Sequence, residues 1–243
     1  MIDIHCHILP GVDDGAENLT QSQLLLDLQR QSGVDCLYLT PHFYPDEEKL
    51  DAFLSKRQKA WDDLSADFDS LDKLQLRLGA EVGYCRELLS LDLQKLTLGE
   101  SNYLLLELPL YYPAYVMQTV EELLKQGFIP ILAHAERYLY FRKEPDLLRE
   151  LIDLGVLAQV SAQALFEKRD KNFAMACLQH NLAQIVASDA HNTTDRKPCM
   201  DLLHKLPEEL KQLHYAFSAA VWENKLPAYV QATTVNKTYF GYR

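Results

Sequence analysis

Short apolar, β-prone runs recur along the chain, and amphipathic helical patterns separate most of them. The runs cover residues 2–4, 36–40, 76–82, 103–108, 129–133, 157–160 and 184–187. Several are almost wholly apolar, which is typical of strands buried on both faces of a parallel sheet. Alternation of strands and helices favours an α/β fold. Seven such units favour a barrel or a distorted barrel over an open doubly wound sheet.

The helical patterns are apolar stripes bounded by residues that start or end helices. Asn18 or Thr20 is expected to cap a first helix that ends near Gly33. Further helices are expected within residues 50–71, 116–127, 147–155, 173–181 and 207–221, whereas segment 85–101 has no clear pattern. Because no linker-like break separates the units, residues 1–243 are expected to form one domain.

Six of the seven predicted strands carry a histidine, aspartate or glutamate at or near the same end. These residues are His5, His7, His42, Glu81, Glu107, His134, Asp189 and His191, and the pair Asp13 and Asp14 follows the first strand. The carboxyl ends of the strands of an α/β barrel converge on one mouth, so residues distant in sequence can meet there. Imidazole nitrogens and carboxylate oxygens suit zinc, manganese or iron. The sequence therefore predicts a metal site at the mouth.

Charge is a second argument for metal ions. Glu81 and Glu107 interrupt apolar runs, and burying an unneutralised carboxylate costs several kcal/mol. With Asp14 and Asp189, they bring four negative charges to the predicted mouth. Two divalent ions would cancel these charges, and three would leave a positive pocket that attracts anions.

Composition excludes several other classes of protein. The formal net charge of −11 disfavours a general nucleic-acid binder. The absence of a long apolar run argues against membrane insertion, and the start of the sequence does not resemble a signal peptide, so a cytoplasmic location is expected. Five scattered cysteines are interpreted as reduced thiols. The histidines in helical patterns are interpreted as surface or packing residues: His180, His204 and His214.

Six motifs resemble the PHP (polymerase and histidinol phosphatase) superfamily. They are MIDIHCHILPGVDDG, TPHF, GAEV, LELP, AHAER and SDAHN, and they span the chain from its start to about Arg196. Within the superfamily, the DDG and HAER segments most closely resemble the bacterial tyrosine-protein phosphatases encoded with capsule and exopolysaccharide genes. The resemblance implies a distorted barrel of seven parallel strands.

The resemblance also implies three divalent ions, with manganese favoured and iron or zinc as alternatives. One ion would be held by His5, His7, Glu81 and Asp189. A second would share Glu81 and use Glu107 and His134, and a third would use Asp14, His42 and His191. Asp13 is expected to support a ligand or form a turn.

The implied reaction is hydrolysis of a phosphate monoester by a hydroxide that the metal ions generate from water. Arg137 and Arg196 are predicted to hold the phosphoryl oxygens. No cysteine begins a CxxxxxR phosphate loop. Aromatic residues near the predicted mouth could surround a phosphotyrosine ring or simply pack: Phe43, Tyr44, Tyr111, Tyr112, Tyr115, Tyr138, Tyr140 and Phe141. By resemblance, the substrate is the tyrosine-rich tail of a bacterial tyrosine kinase that controls capsule or exopolysaccharide synthesis.

Three alternatives remain open at the level of sequence. A PHP phosphatase for a small molecule such as histidinol phosphate would prefer that substrate over phosphotyrosine peptides. An amidohydrolase that cleaves C–N bonds would need only one or two metal ions. A degenerate regulatory domain would lack metal-dependent activity altogether.

Overall fold

The protein is described here by a computed structural model that covers residues 1–66, 74–167, 169–227, 230–235, 237–238 and 241–242. Its strands are β1 (Ile2–Cys6), β2 (Cys36–Leu39), β3 (His42–Phe43), β4 (Gln75–Leu78), β5 (Glu81–Gly83), β6 (Tyr103–Glu107), β7 (Ile129–Leu132), β8 (Leu157–Ser161), β9 (Ile185–Ala187), β10 (Lys237–Thr238) and β11 (Gly241–Tyr242). Its α-helices are α1 (Leu19–Gln31), α2 (Leu50–Ser65), α3 (Val116–Lys125), α4 (Leu139–Lys143), α5 (Pro145–Leu154), α6 (Lys171–Gln179) and α7 (Glu208–Trp222).

The strands pair as a parallel α/β fold, as the sequence predicts. One sheet has six strands in the order β3-β5-β6-β7-β8-β9, a second has three in the order β1-β2-β4, and β10 and β11 form a short antiparallel pair. All pairs within the two larger sheets are parallel. The carboxyl ends of these strands therefore face one edge, where parallel α/β folds bind ligands.

A single seven-stranded barrel is not found as such, because the strands are interrupted at two places and fall into two parallel sheets. Pro41, which has no backbone N–H, separates β2 from β3. The next predicted strand likewise breaks between β4 and β5, and Glu81 N donates to Pro41 O at 3.1 Å across the break. Beyond the end of β9, Ala190 forms a parallel bridge with Cys6 of β1. The parallel sheet thus forms a half-barrel with the end of β9 beside the end of β1.

The strand side chains alternate between two hydrophobic clusters. Leu104 and Leu106 of β6 pack in the cluster shared with the surrounding helices. Tyr103 and Leu105 point to the opposite face, where Phe217 of α7 packs against them in a second cluster. This two-residue period explains why the strand runs are apolar throughout, since both faces of the sheet are covered.

Most helix predictions are confirmed. Asn18 caps α1, with its side-chain oxygen accepting from Gln21 N at 3.1 Å, and Gly155 ends α5 at φ 110°. Segment 85–101 contains three 3-10 helices, and α4 was not predicted. The second helix is described only to Ala66, so its predicted continuation through Phe68 and Leu71 lies outside the described residues. Among the residues that the structure describes, no helix is both long and apolar enough to cross a bilayer.

Candidate metal centre

The carboxyl edge of the strands brings together all nine residues that the sequence analysis assigned to metal ions. His5 lies in β1 and His7 directly follows it, whereas Glu81 begins β5 and Glu107 ends β6. His42 begins the short strand β3. The others lie in the segments that follow β1, β7 and β9: Asp14, His134, Asp189 and His191.

Four buried residues form the first donor group: His5, His7, Glu81 and Asp189. Glu81 Oε2 lies 3.1 Å from His5 Nε2 and 3.2 Å from His7 Nε2. Asp189 Oδ1 lies 3.4 and 3.6 Å from the same two nitrogens. Two imidazoles and two carboxylates therefore present one atom each to a common centre, a set that suits a divalent cation.

The Nδ1 atoms of His5 and His7 make hydrogen bonds that point away from the common centre, and these bonds fix Nε2 as the nitrogen of each ring that faces it. His7 donates from Nδ1 to Asp13 Oδ2 at 2.6 Å. His5 Nδ1 lies 3.2 Å from the amide oxygen of Gln159, which can only accept. Each Nε2 is then unprotonated in the neutral ring, and the two Nε2 atoms lie only 3.0 Å apart. Facing lone pairs at this distance require a cation, so the donor set fits a metal ion.

A second donor group contains Asp14, His42 and His191, together with His7. Asp14 Oδ1 lies 3.4 Å from His42 Nε2 and 3.3 Å from His191 Nε2. His191 Nδ1 lies 3.0 Å from the backbone oxygen of Asp189, to which it must donate. His191 Nε2 is buried and makes no hydrogen bond with the described residues, so its lone pair is available to a ligand.

The third donor group involves both carboxylate oxygens of Glu81. His134 Nε2 lies 2.8 Å from Glu81 Oε1 and 3.6 Å from Glu107 Oε1. His42 Nδ1 lies 3.0 Å from Glu81 Oε2, and His42, Glu81 and Glu107 form a compact cluster of possible ligands. Glu81 takes part in two of the donor groups, and its two oxygens could bridge neighbouring cations.

Electrostatic interactions at the centre favour positive charge. Burial lowers the pKa of His7, but the adjacent Asp13 carboxylate raises it to about 9. Burial raises the pKa of Glu81, yet His5 and the other imidazoles hold it well below its usual range. Burial lowers the pKa of His191 to about 4, so this ring stays neutral near pH 7. The carboxylates therefore stabilise cations, which protons or metal ions can supply.

Two residues of the centre have left-handed backbone conformations. His134 has φ 33° and Asp189 has φ 51°. Non-glycine residues at positive φ cost free energy and persist where the surrounding structure holds them. Here the strain turns the side chains at the ends of β7 and β9 back towards the centre.

Arg137 and Arg196 lie at the edge of the donor groups and bracket Asp189. Arg137 donates to Asp189 Oδ2, and Arg196 donates to both carboxylate oxygens of Asp189 at 3.0 Å. Arg196 NH1 also lies 3.6 Å from Asp14 Oδ2. Their side chains are 37% and 31% exposed, so both guanidinium groups reach the solvent side of the centre. They could bind an anion that enters there.

Sequence reasoning missed several residues that orient the centre. Gln159 accepts from His134 N at 2.8 Å while also contacting His5. Asp3 is fully buried and accepts from the Ser188 hydroxyl at 2.5 Å and from Gln29 Nε2 at 2.7 Å. The available signal was a polar residue inside a predicted buried strand, which applies to Asp3 and Gln159.

Of the two roles left open for the aromatic residues near the mouth, packing describes Phe43, Tyr138 and Phe141. Phe43 packs against Phe53 in the core, with ring centroids 4.8 Å apart, and Phe141 is fully buried. The Tyr138 hydroxyl accepts from Leu108 N at 2.8 Å inside the protein. The Tyr44 hydroxyl contacts His42 and Glu107, and the Tyr138 ring lies beside that of His134, with centroids 5.8 Å apart. Aromatic side chains beside the mouth mostly serve packing, which sequence position alone does not reveal.

The fold and the site together define a parallel α/β protein with a candidate multinuclear metal centre and two partly exposed arginines beside it. Comparison with known proteins gives the family. The family model for capsular polysaccharide synthesis proteins of the CpsB/CapC type matches residues 1–215, and the chain belongs to this family.

Relatives within and beyond the family support this placement. The tyrosine-protein phosphatase YwqE of Bacillus subtilis is 34% identical over 204 residues, which cover 81% of this chain and 79% of YwqE. A solved structure comes from work on YwqE and on CpsB of Streptococcus pneumoniae, which are described as unique metal-dependent tyrosine phosphatases. It matches with a TM-score of 0.87 at 31% sequence identity, and the match covers 97% of this chain and 100% of the solved chain.

A more distant solved structure shows the fold alone. It is the histidinol phosphate phosphatase of Lactococcus lactis with zinc, L-histidinol and phosphate, with a TM-score of 0.56 at 14% identity, covering 87% of this chain and 93% of its own. The chain is more similar to the tyrosine phosphatases than to this small-molecule phosphatase, so the alternative of a small-molecule phosphatase is not favoured.

Proposed function

We propose that this chain is a manganese-dependent phosphotyrosine-protein phosphatase. The observation that carries the proposal is the cluster of three overlapping donor groups, two of which contain Glu81, with Arg137 and Arg196 beside them. A cation-rich pocket next to two guanidinium groups suits a phosphate monoester, which carries up to two negative charges. The metal dependence and the tyrosine phosphatase names of the relatives support the same activity.

Three divalent ions would occupy the centre in this proposal. The first would be held by His5, His7, Glu81 and Asp189, the second by Glu81, Glu107 and His134, and the third by Asp14, His42 and His191. When bound, such ions lower the pKa of water and supply a hydroxide nucleophile near neutral pH. Manganese is proposed because mixed imidazole and carboxylate donors suit it, and iron and zinc share this preference.

The protein's own residues would bind the phosphoryl group and stabilise the charge that builds on it. Arg137 and Arg196 each offer planar pairs of N–H donors to the equatorial oxygens. Asp189 holds both guanidinium groups at the same edge of the centre, so they are oriented before substrate arrives. A phenolate leaving group, with a conjugate pKa near 10, leaves without a strong general acid.

The proposed substrate is the tyrosine-rich tail of a bacterial tyrosine kinase that controls capsule or exopolysaccharide synthesis. The family's description as capsular polysaccharide synthesis proteins supports this biological setting. We also propose that residues 1–243 act as one domain, in which the two parallel sheets together form a distorted seven-stranded barrel around the site.

A substrate comparison tests the proposed function. The metal-free protein, prepared with a chelator, is assayed on a phosphotyrosine peptide and on histidinol phosphate before and after addition of Mn²⁺. We expect Mn²⁺ to restore hydrolysis, with kcat/KM higher for the peptide. Preference for histidinol phosphate would contradict the choice of substrate, and the absence of metal-dependent hydrolysis of either compound would contradict the activity.

A further inference from the structure

The hydroxyl group of Tyr44 lies between two of the donor groups. It donates to Glu107 Oε2 at 2.9 Å and lies 3.0 Å from His42 Nδ1. The Tyr44 ring stacks on the His42 ring, with centroids 5.1 Å apart and an interplanar angle of 22°. One phenol therefore contacts a predicted ligand of the third ion and a predicted ligand of the second.

The hydrogen bonds at Tyr44 fix the direction of both protons. A tyrosine hydroxyl has a single hydrogen, and an ionised carboxylate such as Glu107 only accepts. Since that hydrogen goes to Glu107, His42 Nδ1 faces two acceptors, the Tyr44 oxygen and Glu81 Oε2, each at 3.0 Å, and therefore carries the ring hydrogen. The neutral His42 ring then has an unprotonated Nε2, which lies 3.4 Å from Asp14 Oδ1 in the second donor group.

Gly83 provides the space in which the Tyr44 ring sits. A Cβ added at Gly83 would lie 2.6 Å from Tyr44 Cδ1 and 3.1 Å from Tyr44 Cε1. Contacts this short would force the ring to shift. Gly83 is buried at the end of β5, where it pairs with Glu107 of β6. A side chain at position 83 would thus displace the ring whose hydroxyl contacts Glu107.

We propose that Tyr44 is a positioning residue that couples two metal positions, because its hydroxyl orients Glu107 and, together with Glu81, fixes the tautomer of His42. The proposal rests on the proposed metal-dependent function. Hydrogen bonds from neighbouring residues commonly orient metal ligands, and their loss typically lowers metal affinity by roughly 10- to 100-fold.

Tyr44→Phe tests the proposal because it removes the hydroxyl and keeps the ring. Metal binding is measured by titrating chelator-treated protein with Mn²⁺ and with Co²⁺, whose visible absorption reports its coordination. We expect roughly 10- to 100-fold weaker binding of part of the metal and an altered Co²⁺ spectrum. Melting of the metal-free variant should match that of the wild type, which separates positioning from a general loss of stability.

Tyr84→Phe is the matched control. The Tyr84 hydroxyl contacts Thr119 Oγ1 at 3.1 Å, away from the donor groups, so this variant should bind both metals like the wild type. Wild-type affinity and an unchanged Co²⁺ spectrum in Tyr44→Phe would overturn the proposal. Failure of the wild-type protein itself to bind Mn²⁺ would instead overturn the proposed function.

Gly83→Ala provides a second test through the backbone. We expect it to weaken metal binding about as much as Tyr44→Phe, since it moves the ring away from Glu107. Adding Tyr44→Phe to Gly83→Ala should then cost little more, because the two changes remove the same interaction. A full additional loss in the double variant would show that Gly83 does not act through the Tyr44 hydroxyl, and would contradict this part of the proposal.

Discussion

Glu81 is the residue on which the candidate centre depends most. It is fully buried at the start of β5, and its Oε2 lies within 3.2 Å of nitrogens of His5, His7 and His42. Yet this oxygen makes no hydrogen bond of good geometry with the described residues. A buried carboxylate that faces the unprotonated Nε2 atoms of His5 and His7 is unfavourable unless a cation lies among them, which is the physical reason for placing a metal ion there.

Arg137 should contribute to catalysis through the phosphoryl oxygens. We expect Arg137→Ala to lower kcat/KM on a phosphotyrosine peptide by roughly 100-fold, which corresponds to about 2.7 kcal/mol of transition-state stabilisation. The loss follows from removing a two-donor cation at the position where negative charge builds. Steady-state kinetics at saturating Mn²⁺ measure it.

The matched control for Arg137→Ala is Arg149→Ala. Arg149 forms ion pairs with Asp146 and Asp153 on the surface of α5, so its removal should leave kcat/KM unchanged. An unchanged kcat/KM in Arg137→Ala as well would mean that this arginine only holds Asp189 in place.

Asp13 should act through His7 rather than on substrate. It accepts from His7 Nδ1 at 2.6 Å and from His42 N at 2.8 Å. Asp13→Asn removes the charge that stabilises the Nδ1–H, so we expect roughly 10- to 100-fold weaker Mn²⁺ binding, measured by titration calorimetry. Asp201→Asn, at an exposed position, should bind Mn²⁺ like the wild type. If Asp13→Asn binds Mn²⁺ with the same affinity as the wild type, Asp13 only stabilises the loop.

At the scale of elements, α7 holds a buried histidine against the last strand of the half-barrel. His214 is fully buried and accepts from Val186 N of β9 at 3.1 Å. Burial lowers its pKa from 6.5 to about 3. The folded state thus keeps this ring neutral, whereas the unfolded chain binds a proton below about pH 6.5.

The sign of this shift predicts a loss of stability in acid. The contribution of His214 is complete above pH 6.5 and declines as the pH falls towards 3, by at most about 1.4 kcal/mol per pH unit. His214→Asn keeps an acceptor for Val186 N and does not titrate. We therefore expect the free energy of unfolding of this variant, measured with urea and a chelator at pH 7 and pH 5, to fall less than that of the wild type.

Exposed His204 supplies the control for the acid experiment. His204→Asn should follow the wild type between pH 7 and pH 5, because its side chain is not buried by folding. If His214→Asn loses as much stability as the wild type over this range, burial of His214 does not contribute to acid sensitivity.

The elements also show what sequence patterns can predict. Apolar runs predicted the strands that are covered on both faces, because burial leaves a direct trace in composition. The breaks at Pro41 and before Glu81 were not predicted. At each break the chain passes from the sheet of β2 and β4 to the sheet of β3 and β5, and an apolar pattern does not show such a passage. The 3-10 helices of segment 85–101 have too few turns to show a period.

At the scale of the whole molecule, convergence of the strand ends explains why the site could be predicted in outline. The ligands at His5 and Asp189 lie at opposite ends of the sequence, yet Asp189 N donates to His5 O at 2.9 Å where the last strand meets the first. The strand-end pattern predicted this meeting. The orienting contacts of Gln159 and Tyr44 could not be predicted, because they depend on side-chain directions that spacing does not specify.

The number of metal ions bound per chain tests the central claim most directly. Elemental analysis of Mn²⁺-loaded, desalted protein, in parallel with a phosphotyrosine assay, should give about three ions for the wild type and about two for His191→Ala, with most activity lost in the variant. His204→Ala, outside the centre, should retain three ions and full activity. One ion or fewer in the wild type, or three ions with wild-type activity in His191→Ala, would contradict the three-metal centre.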